Sequence, residues 1–98
     1  MNVSWSEIAD ADRDAIIGYI WLYSPRAAAQ MDALFDLAAT KLADFPYSGK
    51  VGKLEGTREL LPHRSYRLIY SVEVDKVVIL RIFHTSRQWP PADDNETS

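Results

Sequence analysis

Ser24-Pro25 is the dipeptide that most narrows what this 98-residue chain can fold into, because it ends one helical pattern and opens another. Serine supplies an N-cap oxygen, and proline fits the first helical position, where its missing N–H costs nothing. Upstream, Ile8, Ala15, Ile16, Tyr19, Ile20 and Tyr23 recur at helical spacing. Ser4-Trp5-Ser6-Glu7 matches the S-x-x-E capping box, and Ser6 offers a second cap. Asp10, Asp12 and Asp14 place negative charge near the positive end of the helix dipole. Downstream, Ala28, Met31, Leu34, Phe35, Ala38, Leu42 and Phe45 form a second apolar stripe, which Pro46 ends. Two helices joined this tightly predict an antiparallel hairpin.

The pattern then changes period. Residues 46–56 hold Gly49, Gly52 and Gly56 with Lys50 and Lys53, which reads as a mobile basic loop. Three strands are expected at about 57–61, 65–73 and 76–84, the last two paired antiparallel through a tight turn at Val74-Asp75 or Asp75-Lys76. Val77 to Phe83 is almost uninterrupted β-branched and aliphatic sequence, as in a central strand covered on both sides. Val3 and Trp5 alternate in a short N-terminal strand. The predicted fold is α+β: an N-terminal strand, then an antiparallel helical hairpin packed on a small, mainly antiparallel sheet, in the order β-α-α-β-β-β. One domain spans 1–90, and 91–98 reads as a disordered acidic tail, with Trp89-Pro90 as a possible anchor or partner contact.

Charge is unevenly spread. Residues 1–46 carry three basic groups against seven acidic ones, and residues 47–90 carry eight against four. Asp93, Asp94 and Glu96 then bring the total to −3. An acidic chain is a poor generic nucleic-acid binder, since non-specific affinity comes from neutralising phosphates, but its basic half can still meet an acidic partner. There is no cysteine, which excludes disulfides, thiolate metal sites and a cysteine nucleophile. No apolar run reaches the roughly 18 residues that span a bilayer, so the expected location is the cytoplasm, with no membrane partner. Two distant histidines without a carboxylate cluster give no expectation of a metal, and no cofactor motif is present.

The basic half concentrates arginine and histidine on its strands. If Leu68 and Tyr70, or Val78, Leu80 and Ile82, face the helices, Arg67 and Arg81 face away, onto a sheet surface bearing guanidinium groups. Arginine grips phosphate or carboxylate bidentately, though the same placement also serves an ordinary solvated face. His84 is the best proton carrier, and a satisfied structural histidine is the competing role. It lies three positions from Arg81, so the two converge only if the strand ends or bulges near Phe83. Arg87 can fold back over the same site, and His63, beside Pro62 in a turn, is expected to be exposed. Trp21, Tyr19 and Tyr23 are expected to fill core or an interface.

On these residues the chain resembles the RelE/ParE superfamily of type II toxin–antitoxin toxins, from its start through about Pro90. The resemblance rests on Ala27-Ala28, Leu42-Ala43-Asp44-Phe45-Pro46, Gly49 and Gly52, Gly56-Thr57-Arg58-Glu59-Leu60, Tyr66-Arg67-Leu68-Ile69-Tyr70 and Ile79-Leu80-Arg81-Ile82-Phe83-His84. Each piece is loose alone, and their order and spacing together are more specific. The resemblance implies a growth-inhibiting toxin, of the kind associated with plasmid stabilisation, held inactive in a hetero-oligomer with a cognate antitoxin.

RelE-like members cut messenger RNA on the ribosome without a metal, as mRNA interferases, whereas ParE-like members poison DNA gyrase. For an endoribonuclease, the resemblance makes Arg67 the group that stabilises the phosphorane, with His84 as acid or base and Arg87 as a second arginine. Arg58, Arg81, Lys50, Lys53 and His63 are the expected substrate contacts. Against this, the family's C-terminal catalytic tyrosine has no counterpart and no glutamate matches the general base of the histidine-bearing relatives. The arginine–histidine set narrowly favours ribosome-dependent cleavage. Gyrase poisoning is the alternative, and a degenerate domain that only binds antitoxin is the third reading.

Overall fold

The computed structural model describes residues 1–91. All but the first residue of the expected 91–98 tail lies outside them. Seven elements follow in chain order: β1 Asn2–Trp5, α1 Glu7–Trp21, α2 Pro25–Asp44, β2 Lys50–Val51, β3 Arg58–His63, β4 Tyr66–Val72 and β5 Lys76–His84. The strands form one sheet in the order β1-β5-β4-β3-β2. The α+β architecture and the mainly antiparallel sheet are the expected ones, with one correction and one addition. Lys50–Val51, read as loop, is a short edge strand that pairs antiparallel with β3. β1 runs parallel to β5, so the sheet is mixed, while β3–β4 and β4–β5 are antiparallel. A two-residue strand has no alternation to read, which is why the glycine-rich context hid it.

The helix caps follow the local chemistry of the sequence. Ser6, rather than Ser4, caps α1: its Oγ accepts from the Ala9 N–H at 3.0 Å. The same hydroxyl donates to the Leu80 carbonyl at 3.0 Å, and the Ser6 N–H donates to the Ile79 carbonyl, so one residue starts a helix and ties it to β5. Ser24 Oγ accepts from the Ala27 N–H at 3.1 Å, with Pro25 in the first turn of α2. Between the helices, the Arg13 guanidinium donates to Asp32 and Asp36, both at 2.8 Å, and lies over the Trp5 ring at 4.8 Å. Burial acts to lower the Arg13 pKa, but hydrogen bonds to Asp36 and Asp32 outweigh it and raise the group above its ordinary value.

Ala9, Phe35, Ala38 and Leu42 from the helices meet Leu68, Tyr70, Val77, Ile79 and Ile82 from the sheet in a single core. Burial of this apolar surface is what holds the hairpin on the sheet. The helix-facing residues of β5 are thus Val77, Ile79 and Ile82, not Val78, Leu80 and Ile82. The cause is an irregularity in the β4–β5 ladder, where Tyr70 opposes Ile79 and Ile69 opposes Arg81, leaving Leu80 as the extra residue. A bulge of this kind shifts the alternation by one.

The loop before β3 is held from inside. The buried Tyr70 hydroxyl accepts from the Gly49 N–H at 2.9 Å. A Cβ at position 49 would lie 2.6 Å from the Glu59 carbonyl oxygen and 2.7 Å from that hydroxyl, so only glycine fits. Arg58 closes the same loop by donating to the Gly49 carbonyl at 2.8 Å and lying over the Tyr47 ring. Tyr19, Trp21 and Tyr23 do not enter the core; Tyr19 and Trp21 are exposed at the C-terminal end of α1, and Tyr23 just beyond its cap. None of the described helices is long and apolar enough to cross a membrane.

Candidate functional site

Residues paired across two strands share a face, and neighbours along a strand alternate. Arg67 opposes Phe83 and Ile69 opposes Arg81, so these four side chains share the sheet face turned away from the helices. Tyr66 opposes His84, and both take the other face, as does His63 through its pairing with Tyr66. Arg67 and His84 therefore project to opposite sides. The irregularity lies at Leu80, before Arg81, and not near Phe83, so Arg81 and His84 do not converge either.

The outward face is built around Phe83, which is 4% exposed although no helix covers it. Trp89 packs on its ring at 5.0 Å, which makes the Trp89-Pro90 segment an anchor. The Arg81 and Arg87 guanidiniums each lie 5.7 Å from the same ring. Arg67, on the neighbouring strand, is ion-paired at 3.4 Å with Glu59, a carboxylate that is 4% exposed. Glu59 also accepts from the Lys53 N–H at 3.3 Å. A buried carboxylate needs such partners, because an unpaired charge there would be strongly destabilising. Arg81 is committed in the same way. Its Nε donates to Asp12 Oδ2 at 2.8 Å, and that oxygen also accepts the Ile82 N–H at 3.0 Å. Asp12 thus fills the stretch of β5 edge that β1 is too short to cover.

The other face ends in a row of rings. Tyr66 meets His84 edge-on at 5.6 Å, with His63 at 6.5 Å on its other side. Each histidine accepts at Nδ1 from the backbone N–H two residues ahead, His63 from Ser65 and His84 from Ser86, both at 3.0 Å. That places the proton of each neutral ring on Nε2. His63, expected to be exposed, is half-buried because this turn folds it against Tyr66. His84 opens into a cleft of about 380 Å³ whose walls include Ile16, Tyr19, Tyr66, Ile82 and Arg87. Arg87 borders both this cleft and the Phe83 ring, at the strand edge where the two faces meet.

Of the expected site residues, Arg67, Arg81 and Arg87 gather around Phe83, while His84 and His63 gather around Tyr66. Arg58 is turned into its own loop, and the Lys50 and Lys53 side chains are exposed on the far side of β3. Sequence reasoning assigned no site role to Glu59 or Tyr66, and gave Asp12 only a place beside the helix dipole. Parity offers a signal for Glu59: once Leu60 faces the helices, Glu59 must share the face of Arg67. Nothing local marks Asp12, whose partner lies 69 residues away.

Comparison with known proteins gives this geometry a family. Residues 3–89 match the model described as the ParE toxin of the type II toxin–antitoxin system parDE. The chain is 37% identical over 90 residues to the putative toxin Y4kP of Sinorhizobium fredii, spanning 91% of this chain and 93% of the relative. It is 38% identical over 86 residues to toxin RelE2 of Caulobacter vibrioides, spanning 88% and 97%. Among solved structures, a chain of the chromosomal ParDE system from P. aeruginosa superposes with a TM-score of 0.73 at 26% identity, covering 86% of this chain and 95% of that one. The conserved hypothetical protein HP0894 from Helicobacter pylori shares the fold at a TM-score of 0.57 and 18% identity. Sequence, coverage and fold agree, and the chain belongs to the ParE toxin family of type II toxin–antitoxin systems, within the RelE/ParE superfamily.

Proposed function

We propose that this toxin arrests growth as a ParE-like poison of DNA gyrase and does not cut messenger RNA. The observation that carries the reading is the separation of Arg67 and His84 onto opposite faces of the sheet. Metal-free cleavage by the 2′-hydroxyl needs a proton carrier and a charge stabiliser on the same phosphate, within hydrogen-bond reach. Here the proposed stabiliser is ion-paired to Glu59, and the proposed proton carrier faces a cleft beside α1. The match to a ParE model over residues 3–89 supports the same reading. The toxin is neutralised by a cognate antitoxin that is acidic where it meets the basic half of the chain. Its association rate falls with salt, since charge steering acts chiefly on encounter.

Two assays on the purified chain separate the readings: gyrase-dependent DNA cleavage, and primer extension on translated messenger RNA. The first is expected to respond and the second to stay silent, with His84→Ala changing growth arrest by less than about threefold. A general acid or base contributes about 10²–10⁴-fold. A loss of that size in His84→Ala, together with cut messenger RNA, would overturn the proposal in favour of the endoribonuclease. No growth arrest from the parent chain would leave a domain that only binds antitoxin.

A further inference from the structure

The cleft beside α1 takes no part in the proposed function, yet it has the make-up of a ligand site. Its volume of about 380 Å³ falls within the range of small-molecule pockets, which are mostly apolar with a few fixed polar groups. Ala15 and Ile16 from α1 and Ile82 from β5 supply apolar wall, and Tyr19 and Tyr66 supply rings. Edge-on contacts from Phe35 at 5.9 Å and His84 at 5.6 Å hold the Tyr66 ring in place.

The polar side chains lining the cleft are biased towards donors. Asp12 is the one acid among the described residues that line it, and its oxygens already take Arg81 and the Ile82 N–H. His84 Nδ1 meets the Ser86 N–H at 3.0 Å and the Ser86 hydroxyl at 2.7 Å, which leaves its Nε2–H without an acceptor among the described residues. The Arg87 N–H donates to the His84 carbonyl at 3.0 Å, so a tight turn brings both residues to the same cleft. Thr85 fixes that turn, its N–H and Oγ1 donating to the Ser65 and Arg64 carbonyls. Arg87 forms no ion pair among the described residues. An apolar chamber whose free polar groups are a guanidinium and an imidazole N–H fits an anion with a flat apolar body. Among the described lining side chains, only the two phenols remain to pair the hydroxyls of a sugar, which disfavours a nucleotide against an aryl carboxylate.

We propose that this cleft is a binding site for a small aromatic carboxylate, its ring lying among Ile16, Tyr19 and Tyr66 and its carboxylate taking the Arg87 guanidinium and the His84 Nε2–H. His84 then serves binding rather than proton transfer. The site needs neither gyrase nor ribosome, so it stands or falls separately from the choice of target.

The probe is 2-naphthoate, titrated into the full chain and followed by amide, side-chain ¹⁵N and methyl NMR. Saturable shifts are expected at Ile16, His84 and Arg87, with a Kd near about 1 mM, ordinary for a ligand of this size. Arg87→Gln is expected to weaken naphthoate about threefold to tenfold, the contribution of a charged hydrogen bond discounted for exposure, and to leave the neutral 2-naphthamide unchanged. Ala15→Phe, which fills the cleft from an exposed position on α1, is expected to abolish binding of both while the Gly49 and Leu42 signals stay in place. If that variant does not fold, the acid-against-amide comparison in Arg87→Gln decides alone. No saturable shift, equal affinity of acid and amide for the parent chain, or undiminished binding by a folded Ala15→Phe would each overturn the proposal. Adenosine monophosphate binding more tightly than naphthoate would overturn the carboxylate class.

Discussion

Removing the Asp12 carboxylate tests whether Arg81 serves the fold rather than a substrate. Asp12 receives three hydrogen bonds, two from Arg81 at 2.8 and 3.3 Å and one from the Ile82 N–H at 3.0 Å. Its side chain is 17% exposed and that of Arg81 is 26% exposed. Breaking a fully buried pair costs about 3–5 kcal/mol, and a single hydrogen bond to a charged group contributes about 1.5–3. Partial exposure screens the pair, so Asp12→Ala is expected to destabilise by about 2–3 kcal/mol. For a domain of this size that lowers Tm by about 8–24 °C. Asp12→Asn keeps an acceptor for Ile82 and should lose about 1–2 kcal/mol, as should Arg81→Met, which leaves the carboxylate bonded to the strand. Urea unfolding of both single variants and of Asp12→Ala/Arg81→Met gives the coupling, expected near ~1 kcal/mol. A loss below about 0.5 kcal/mol in Asp12→Ala with unchanged m, or a coupling of zero, would refute the structural role and return Arg81 to the candidate binding residues.

Arg13→Met should cost about 1–2 kcal/mol, a discounted figure because Asp32 and Asp36 are largely exposed, and part of the deficit should vanish at high salt as those two carboxylates stop repelling each other. Denaturation at several salt concentrations reads both effects. Tyr70→Phe leaves the Gly49 N–H buried without its acceptor and should lose about 1–2 kcal/mol by the same measurement. Gly49→Ala should lose more, because its methyl group collides with the Glu59 carbonyl as well as with the phenol, and backbone cannot rotate aside.

The sequence resolved best where structure is local. Ser24-Pro25 and the flanking apolar stripes mark two helices whose caps depend only on neighbours three residues away. β4 and β5 are long enough for their alternation to show. What escaped it depends on distant pairings. The parallel placement of β1 against β5 joins residues more than 70 positions apart. The candidate site failed to assemble for a related reason. Counting from Arg67 and His84 alone cannot say which face each takes, because the ladder between them slips once. Ile69, fully buried on the outward face, shows the same limit: its cover comes from outside the helices, and periodicity is silent about it.

The slip at Leu80 also governs how chains of this type can diverge in length. Val77, Ile79, Ile82 and His84 keep one face only because Leu80 stands outside the alternation. Excising Leu80 would lose the hydrogen bond to Ser6 yet leave every flanking side chain on its present face. Excising Val78 or Ile82 would transpose everything on one side of the cut. A one-residue gap in this strand is therefore silent at Leu80 and disruptive at those positions, and an aligner that places it elsewhere will pair core residues of one relative with surface residues of another.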